Sequence, residues 1–296
     1  MAAGAQGLES KPAELRTSPE SRRRSKAISG VTFGLLLLFA LAWLTPMFWA
    51  VDTALKQESE TTAIPISWIP ESGFTMESFI STITTSSLPR WFLNSVITTS
   101  VITAVVVLLA SLAAFGLSRI PFRGSNAVFF LILAGIMVPP QILIVPIFEQ
   151  MNMLNLVDTY WSVILPQIAA PIAVFIFKRF FDGLPKELEE AAIMDGASYF
   201  RVYWQIWMPL SRPVIAAVAI FTFVHAWNNF ILPFIVITNT DMMTIPVGLA
   251  TVQGSYGLRY ADIMATAVIG GLPLLIVFLF FQRQIVQGIA NTGLKD

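Results

Sequence analysis

The 296-residue chain has no cysteine and a single histidine, His225. Without thiols it forms no disulfides and offers no thiolate nucleophile, and one imidazole excludes a histidine-rich metal site. Charge is scarce too. Asp, Glu, Lys and Arg make up 12% of the residues against 55% hydrophobic ones, and the mean hydropathy is +0.71. A water-soluble domain of this length needs far more charge to cover its surface. The 18 basic and 18 acidic residues cancel, so no nucleic-acid partner is suggested. No glycine is followed by lysine, which excludes the phosphate-binding loop of an ATPase from this polypeptide.

What the chain does have is long apolar runs, at residues 28–51, 91–117, 127–148, 160–177, 214–237 and 263–281. Each is close to the roughly 20 residues that a spanning helix requires. In hydrocarbon every backbone N–H and C=O must be paired within the segment, which favours helices. Alternating strands of the barrel type are missing. The expectation is therefore an all-α, polytopic membrane protein. A six-helix transmembrane domain occupies 27–296, after a disordered tail over 1–26 that carries Pro12, Pro19 and Arg22-Arg23-Arg24. Ala40-Leu41-Ala42 imitates a signal-peptidase site, but the apolar run continues well past it. None of the six runs holds an acid, so neither a carboxylate proton relay nor an embedded acid-dependent enzyme is placed there.

Basic residues orient the spans. With the amino terminus in the cytoplasm, 15 of 18 basic residues lie inside, leaving Lys56, Arg90 and Arg259 outside. Both termini and the loop that carries Glu190 are then expected in the cytoplasm. The external segment 52–90 is long for a connection. It reads as a lid over the outer face or as a docking surface for an extracytoplasmic partner, and covering is the commoner use of a loop.

Residues 184–209, between the fourth and fifth runs, carry the most information. Pro185 suits a first helical position, where its missing N–H costs nothing. Glu187, Glu189 and Glu190 follow where the helix dipole favours negative charge. Gly196 suits a left-handed helix end, and Ser198 suits the cap of a second helix bearing Phe200, Tyr203, Trp204 and Trp207. Pro209 is expected to close that helix. Ala191 and Ala192 keep the first helix narrow enough to enter a groove in another protein. The rival is a helix lying on the bilayer, against which its acids argue, because anionic lipid repels them.

Glu190-Ala191-Ala192, Gly196, and Ile206 with Pro209 resemble the EAA loop of bacterial ABC importer permeases. Met208 departs mildly from the leucine usual there. The likeness covers residues 29–296 and is greatest to carbohydrate-type permeases of the maltose-transporter kind. It rests on Asn94-Ser95, Pro139-Pro140 with Pro146, Leu154 to Thr159, Trp227-Asn228-Asn229-Phe230 with Pro233, and Gly288 to Lys295.

The resemblance implies a type I ABC importer permease fold with a cytoplasmic coupling helix. It implies a second homologous permease, two ATPase subunits that bind ATP and Mg, and an extracytoplasmic solute-binding protein. No cofactor is expected in this chain itself. Glu190, Ala191, Ala192, Asp195 and Gly196 would join the permease to the ATPase, with Arg201 a lesser candidate. Transport would then proceed by alternating access. An unpowered channel is the alternative of a different class.

For the solute, Thr222, Trp227, Asn228 and Asn229 on the fifth run read either as a polar path or as interhelical hydrogen bonding. The resemblance implies a sugar or polyol. Glycerol-phosphate permeases share the type, but no intramembrane arginine announces a phosphate. Pro139, Pro140, Pro146, Pro166, Pro171 and Pro273 mark hinges or simple packing kinks.

Overall fold

The computed structural model describes residues 19–65, 67–255 and 259–293, and every regular element among the described residues is helical. The chain divides after Trp49 into two units.

Helix α1 (Pro19–Ala54) begins on a proline, whose absent N–H is no loss in a first turn. Its start lies inside the segment expected to be a disordered tail, because no proline or glycine interrupts residues 20–29; residues 1–18 lie outside the described residues. From Gly30 to Ala54 it is long and apolar enough to cross a membrane, and its large apolar side chains from Val31 to Phe48 are exposed.

In the second unit, α2 (Glu58–Thr61) and α3 (Glu77–Thr85) lie in the first long loop. Helix α4 (Leu88–Arg119) follows, then α5 (Ser125–Ile136) and α6 (Ile144–Met153). Next come α7 (Tyr160–Ile164), α8 (Pro171–Asp182), α9 (Glu187–Met194) and α10 (Tyr199–Val202). A widened π turn, Tyr203–Trp207, leads into α11 (Met208–Leu210) and α12 (Arg212–Trp227). The chain ends with α13 (Ile231–Val236), α14 (Ile245–Ser255) and α15 (Tyr260–Gly293).

Among the described residues, three helices are long and apolar enough to span a membrane unbroken, and the number rises to six if three bent pairs each count as one span. The expected third span bends by 90° between α5 and α6, and the fourth by 44° before α8. Proline explains both, since Pro139-Pro140 and Pro171 cannot donate the bonds that would carry a helix through. The expected fifth span is also interrupted: α12 stops at Trp227 and α13 resumes at Ile231. Pro273, by contrast, sits inside the unbroken α15.

Helix α4 is the central post. Ile102, Val106, Ala110 and Ala114 recur every fourth residue and form a buried stripe against Ala173, Val174, Phe177 and Phe181 of α8 and Val214 and Val218 of α12. Alanine on that stripe lets the backbones approach closely, which is how helices adhere where hydrocarbon removes the hydrophobic drive. A second cluster, with Leu88, Trp91, Trp227, Val236 and Ile245, surrounds the amino end of α4. Hydrogen bonds from Asn94 to residues 241 and 243 gather one set of connections at that end. Bonds from Arg119 to residues 181 and 184 gather the other set at the opposite end.

Candidate functional site

The 184–209 hairpin sits at the carboxy end of α4. Helix α9 starts at Glu187 after Lys186, so Pro185 stands outside the helix, not at its first position. The first turn holds Glu187, Glu189 and Glu190. Gly196 closes it with φ +82°. Its N–H donates to Ile193 O at 2.9 Å, and the next N–H, of Ala197, reaches back to Ala192 O at 2.9 Å. That paired closure satisfies carbonyls a helix end leaves free and needs the left-handed residue that glycine supplies. Ser198 then caps α10, its Oγ accepting from Arg201 N at 3.3 Å. Pro209 does not close the segment. The chain runs through α11 and turns by 78° around the buried Ser211, whose hydroxyl donates to Trp207 O at 2.6 Å.

The aromatic stripe divides in two. Tyr203 and Trp207 are fully buried, whereas Phe200 and Trp204 are exposed. Tyr203 shares a 2.7 Å hydrogen bond with the Ser111 hydroxyl on α4. Phe115 of α4 packs on Tyr203 and Trp207 with centroids 5.3 and 6.2 Å away, and Phe181 meets Trp207 edge-on at 5.5 Å. Such pairs each contribute about 0.5–1.5 kcal/mol beyond the area they bury. The second arm of the hairpin is thus rooted in the core, and α9 is carried on it.

Glu190, Ala191, Asp195, Gly196 and Arg201 are all exposed, and Ala192 is half-buried against the core. Leu188, Ile193 and Met194 add apolar surface beside them. The outer surface of α9 therefore combines acids with apolar groups.

Two residues that the sequence did not mark as partners lie beneath this surface. Glu189 is 7% exposed, with Oε2 3.9 Å from Arg119 Nε. Arg119 Nη2 donates to Phe181 O and, at 2.9 Å, to Leu184 O, while its guanidinium lies 4.1 Å from the Trp207 ring centroid. Burial pushes the Glu189 carboxyl up from its ordinary value, and Arg119 and Lys186 pull the other way. An arginine ending an apolar run is ordinary, so only the fold distinguishes this one.

Trp227, Asn228 and Asn229 have separate hydrogen-bond partners. Trp227 is buried, its Nε1 donating to Gly270 O at 3.1 Å, with Phe223 stacked on it and Phe92 against its edge. It is a core residue in this conformation, 3% exposed, with one face covered by Phe223. Asn229 donates to Gln167 Oε1 at 2.8 Å, an interhelical bond. Asn228 is exposed and donates only locally, to Val224 O at 2.8 Å; Thr222 is half-buried. His225 is exposed and stacks on Phe221.

At the amino end of α4, residues quoted above only for their likeness prove to be fasteners. Asn94 is fully buried; its Nδ2 donates to Asp241 O and Met243 O at 2.8 Å, and its Oδ1 accepts from Tyr160 at 2.8 Å. Ser95 Oγ accepts from Ile245 N at 2.9 Å. Asp158, at φ 61°, accepts from Thr238 N, Thr238 Oγ1 and Asn239 N at 2.5, 2.6 and 2.8 Å. The first long loop is fastened as well. Glu60 accepts from Glu71 N and Ser72 N at 2.9 Å, and Glu58 accepts from Tyr260 N at 2.7 Å and Ala261 N at 3.0 Å, capping α15.

Residues 106–291 match the family model described as binding-protein-dependent transport system inner membrane component. The chain is 41% identical over 225 residues to an arabinooligosaccharides transport system permease protein of Halalkalibacterium halodurans, covering 76% of this chain and 81% of that one. It is 33% identical to a diacetylchitobiose uptake system permease protein of Streptomyces coelicolor, over 93% and 91% of the two chains. It is 32% identical to a trehalose/maltose transport system permease protein of Thermococcus litoralis, over 88% and 94%. Among solved structures, a bacterial ABC transporter that imports alginate contains a chain sharing the fold at a TM-score of 0.78 with 20% identity, over 88% of this chain and 97% of that one.

Proposed function

The chain belongs to the family of binding-protein-dependent transport system inner membrane components, and from that premise we propose that it carries an oligosaccharide or smaller sugar inward under the power of separate ATPase subunits. One observation supports this most: a short acidic helix, closed by Gly196, is held out at one end of the bundle on an arm rooted by Tyr203 and Trp207. A helix that only rested on lipid would present bases, and this one presents Glu187 and Glu190. Its mixed acidic and apolar surface suits a groove in a protein.

In this reading Glu190, Asp195 and Arg201 make polar contacts with an ATPase subunit, Ala191 and Ala192 allow close approach, and Gly196 sets the turn. ATP and Mg are held by two such subunits, and a second, similar permease completes the pathway. The hairpin end faces the cytoplasm, with both termini. The opposite end, where Asn94, Asp158 and Glu58 fasten the loops, faces an extracytoplasmic binding protein. Of the polar residues on the fifth span, Asn228 and Thr222 remain candidates for the solute path, with Asn229 bridging to Gln167 beside them. The relatives' names favour saccharides over a glycerol-phosphate solute.

The test is purification of the complex from detergent with its neighbouring ATPase, in wild type and Glu190→Ala. Helix-dipole stabilisation alone is worth about 0.3–1 kcal/mol, and its loss would leave transport nearly intact. Docking predicts loss of copurified ATPase and of transport. A wild-type permease that recruits no ATPase, or that transports without ATP, would sink this reading.

A further inference from the structure

Resting on the importer reading above, we propose that Arg119 and Glu189 are the positioning pair that locks α9 to the α4–α8 core, so that movement imposed on the hairpin turns the spans with it. One guanidinium meets three elements here. Nη2 donates to the carbonyl of Phe181, which also accepts from Leu184 N at 3.1 Å, and to the carbonyl of Leu184 at the exit of α8. The cationic face lies over Trp207 of the second arm, 4.1 Å from its centroid. Its edge faces Glu189 of α9 at 3.9 Å. Glu189 is the one carboxylate of the first turn of α9 that points inward, with Glu187 and Glu190 exposed.

The joint also has slack. Arg119 Nε and Trp207 Nε1 are buried donors with no hydrogen-bond partner among the described residues. The 3.9 Å separation between Nε and Glu189 lies beyond hydrogen-bond reach. Closing it by about 1 Å would create a charge-assisted bond. The pair therefore has an open arrangement, seen here, and a closed one available when α9 is pressed toward the core. Arginine suits this place and lysine does not, because only a planar fork serves carbonyls, ring and carboxylate together.

The experiment uses the full complex in proteoliposomes, with a reporter thiol introduced by Asn228→Cys into a chain that has no cysteine of its own. Maleimide labelling of that thiol is compared at rest and after trapping with ATP, Mg and orthovanadate. Glu189→Gln leaves the arginine's bonds to the carbonyls and its stacking untouched. It is expected to retain bound ATPase but to shrink the trapping-dependent change in labelling about five-fold or more. Arg119→Lys, which keeps the charge and loses the fork, is expected to do the same. An undiminished labelling change in either variant that retains ATPase overturns the proposal. Failure of both to assemble also overturns it, assigning the pair a purely structural role. A wild-type complex without ATPase would instead defeat the importer reading itself.

Discussion

The indole of Trp91 lies so close over Gly248 that a Cβ at position 248 would stand 2.1 Å from its Cε3. Trp91 cannot easily retreat, because its Nε1 donates to Thr240 O at 2.7 Å and its ring is buried in the cluster at the amino end of α4. Gly248→Ala is therefore expected to destabilise the permease by about 1–3 kcal/mol, the usual cost of overpacking. Thermal unfolding in detergent measures this, and a smaller ring in the double variant Trp91→Phe, Gly248→Ala should recover part of the loss.

Gly196→Ala is expected to cost about 1–2 kcal/mol, since φ +82° places a Cβ against the following carbonyl although the space around it is open. Gly196→Asn should cost less, because asparagine tolerates the left-handed region. In both variants, loss of copurified ATPase should follow the loss of stability. If Gly196→Ala melts like wild type, the turn is not the constraint described here.

Asp158 should make the opposite end of the bundle sensitive to acid. Burial works to raise its carboxyl, but the hydrogen bonds from Thr238 and Asn239 outweigh it and hold the group below its ordinary value. A depressed carboxylate contributes stability above the unfolded value of about 3.9, and that contribution is lost as pH falls through the lower folded value. Asp158→Ala should flatten melting temperature against pH in this acidic window and cost about 1 kcal/mol at neutral pH. A profile unchanged by the substitution would count against the clasp.

Glu189 should behave in the opposite sense. Its carboxyl is raised by burial, so its contribution is greatest when protonated and declines as pH rises from about 4.3 toward the raised folded value. Glu189→Gln should remove this decline and, at neutral pH, change unfolding stability by less than about 1 kcal/mol, because Arg119 keeps its carbonyl partners. Melting curves of both proteins across that window supply the check. A large loss of stability at neutral pH would show the ion pair to be structural cement.

The all-helical membrane fold was legible in the sequence because the signal is one-dimensional: long apolar runs that hold no acid. The hairpin was legible for a related reason, since Gly196 and Ser198 act on their immediate neighbours. Choosing between Glu189 and Glu190 was not possible in the same way. Consecutive positions on a helix differ by about 100°, and only the packing of α9 on Arg119 decides which of them faces inward. The breaks within the third, fourth and fifth spans were half visible. The prolines marked two of them, but a kink and a 90° turn look alike until neighbouring helices fix the angle. Trp227 was ambiguous for a similar reason. An aromatic beside two asparagines suits a sugar site or a core equally well, and its bond to Gly270 O is formed across 43 residues of sequence.

The π turn at Tyr203–Trp207 holds one more residue than an ordinary coil of helix would. Removing one solvent-facing residue there would let the segment relax into regular α geometry while Ser211, Val214 and Val218 keep their places, because the wide turn already takes up the surplus. The same deletion inside α12 has no such slack and would rotate every later residue of that helix by about 100° about its axis. Loss of a residue is therefore expected to be far milder at 203–207 than at 214–218.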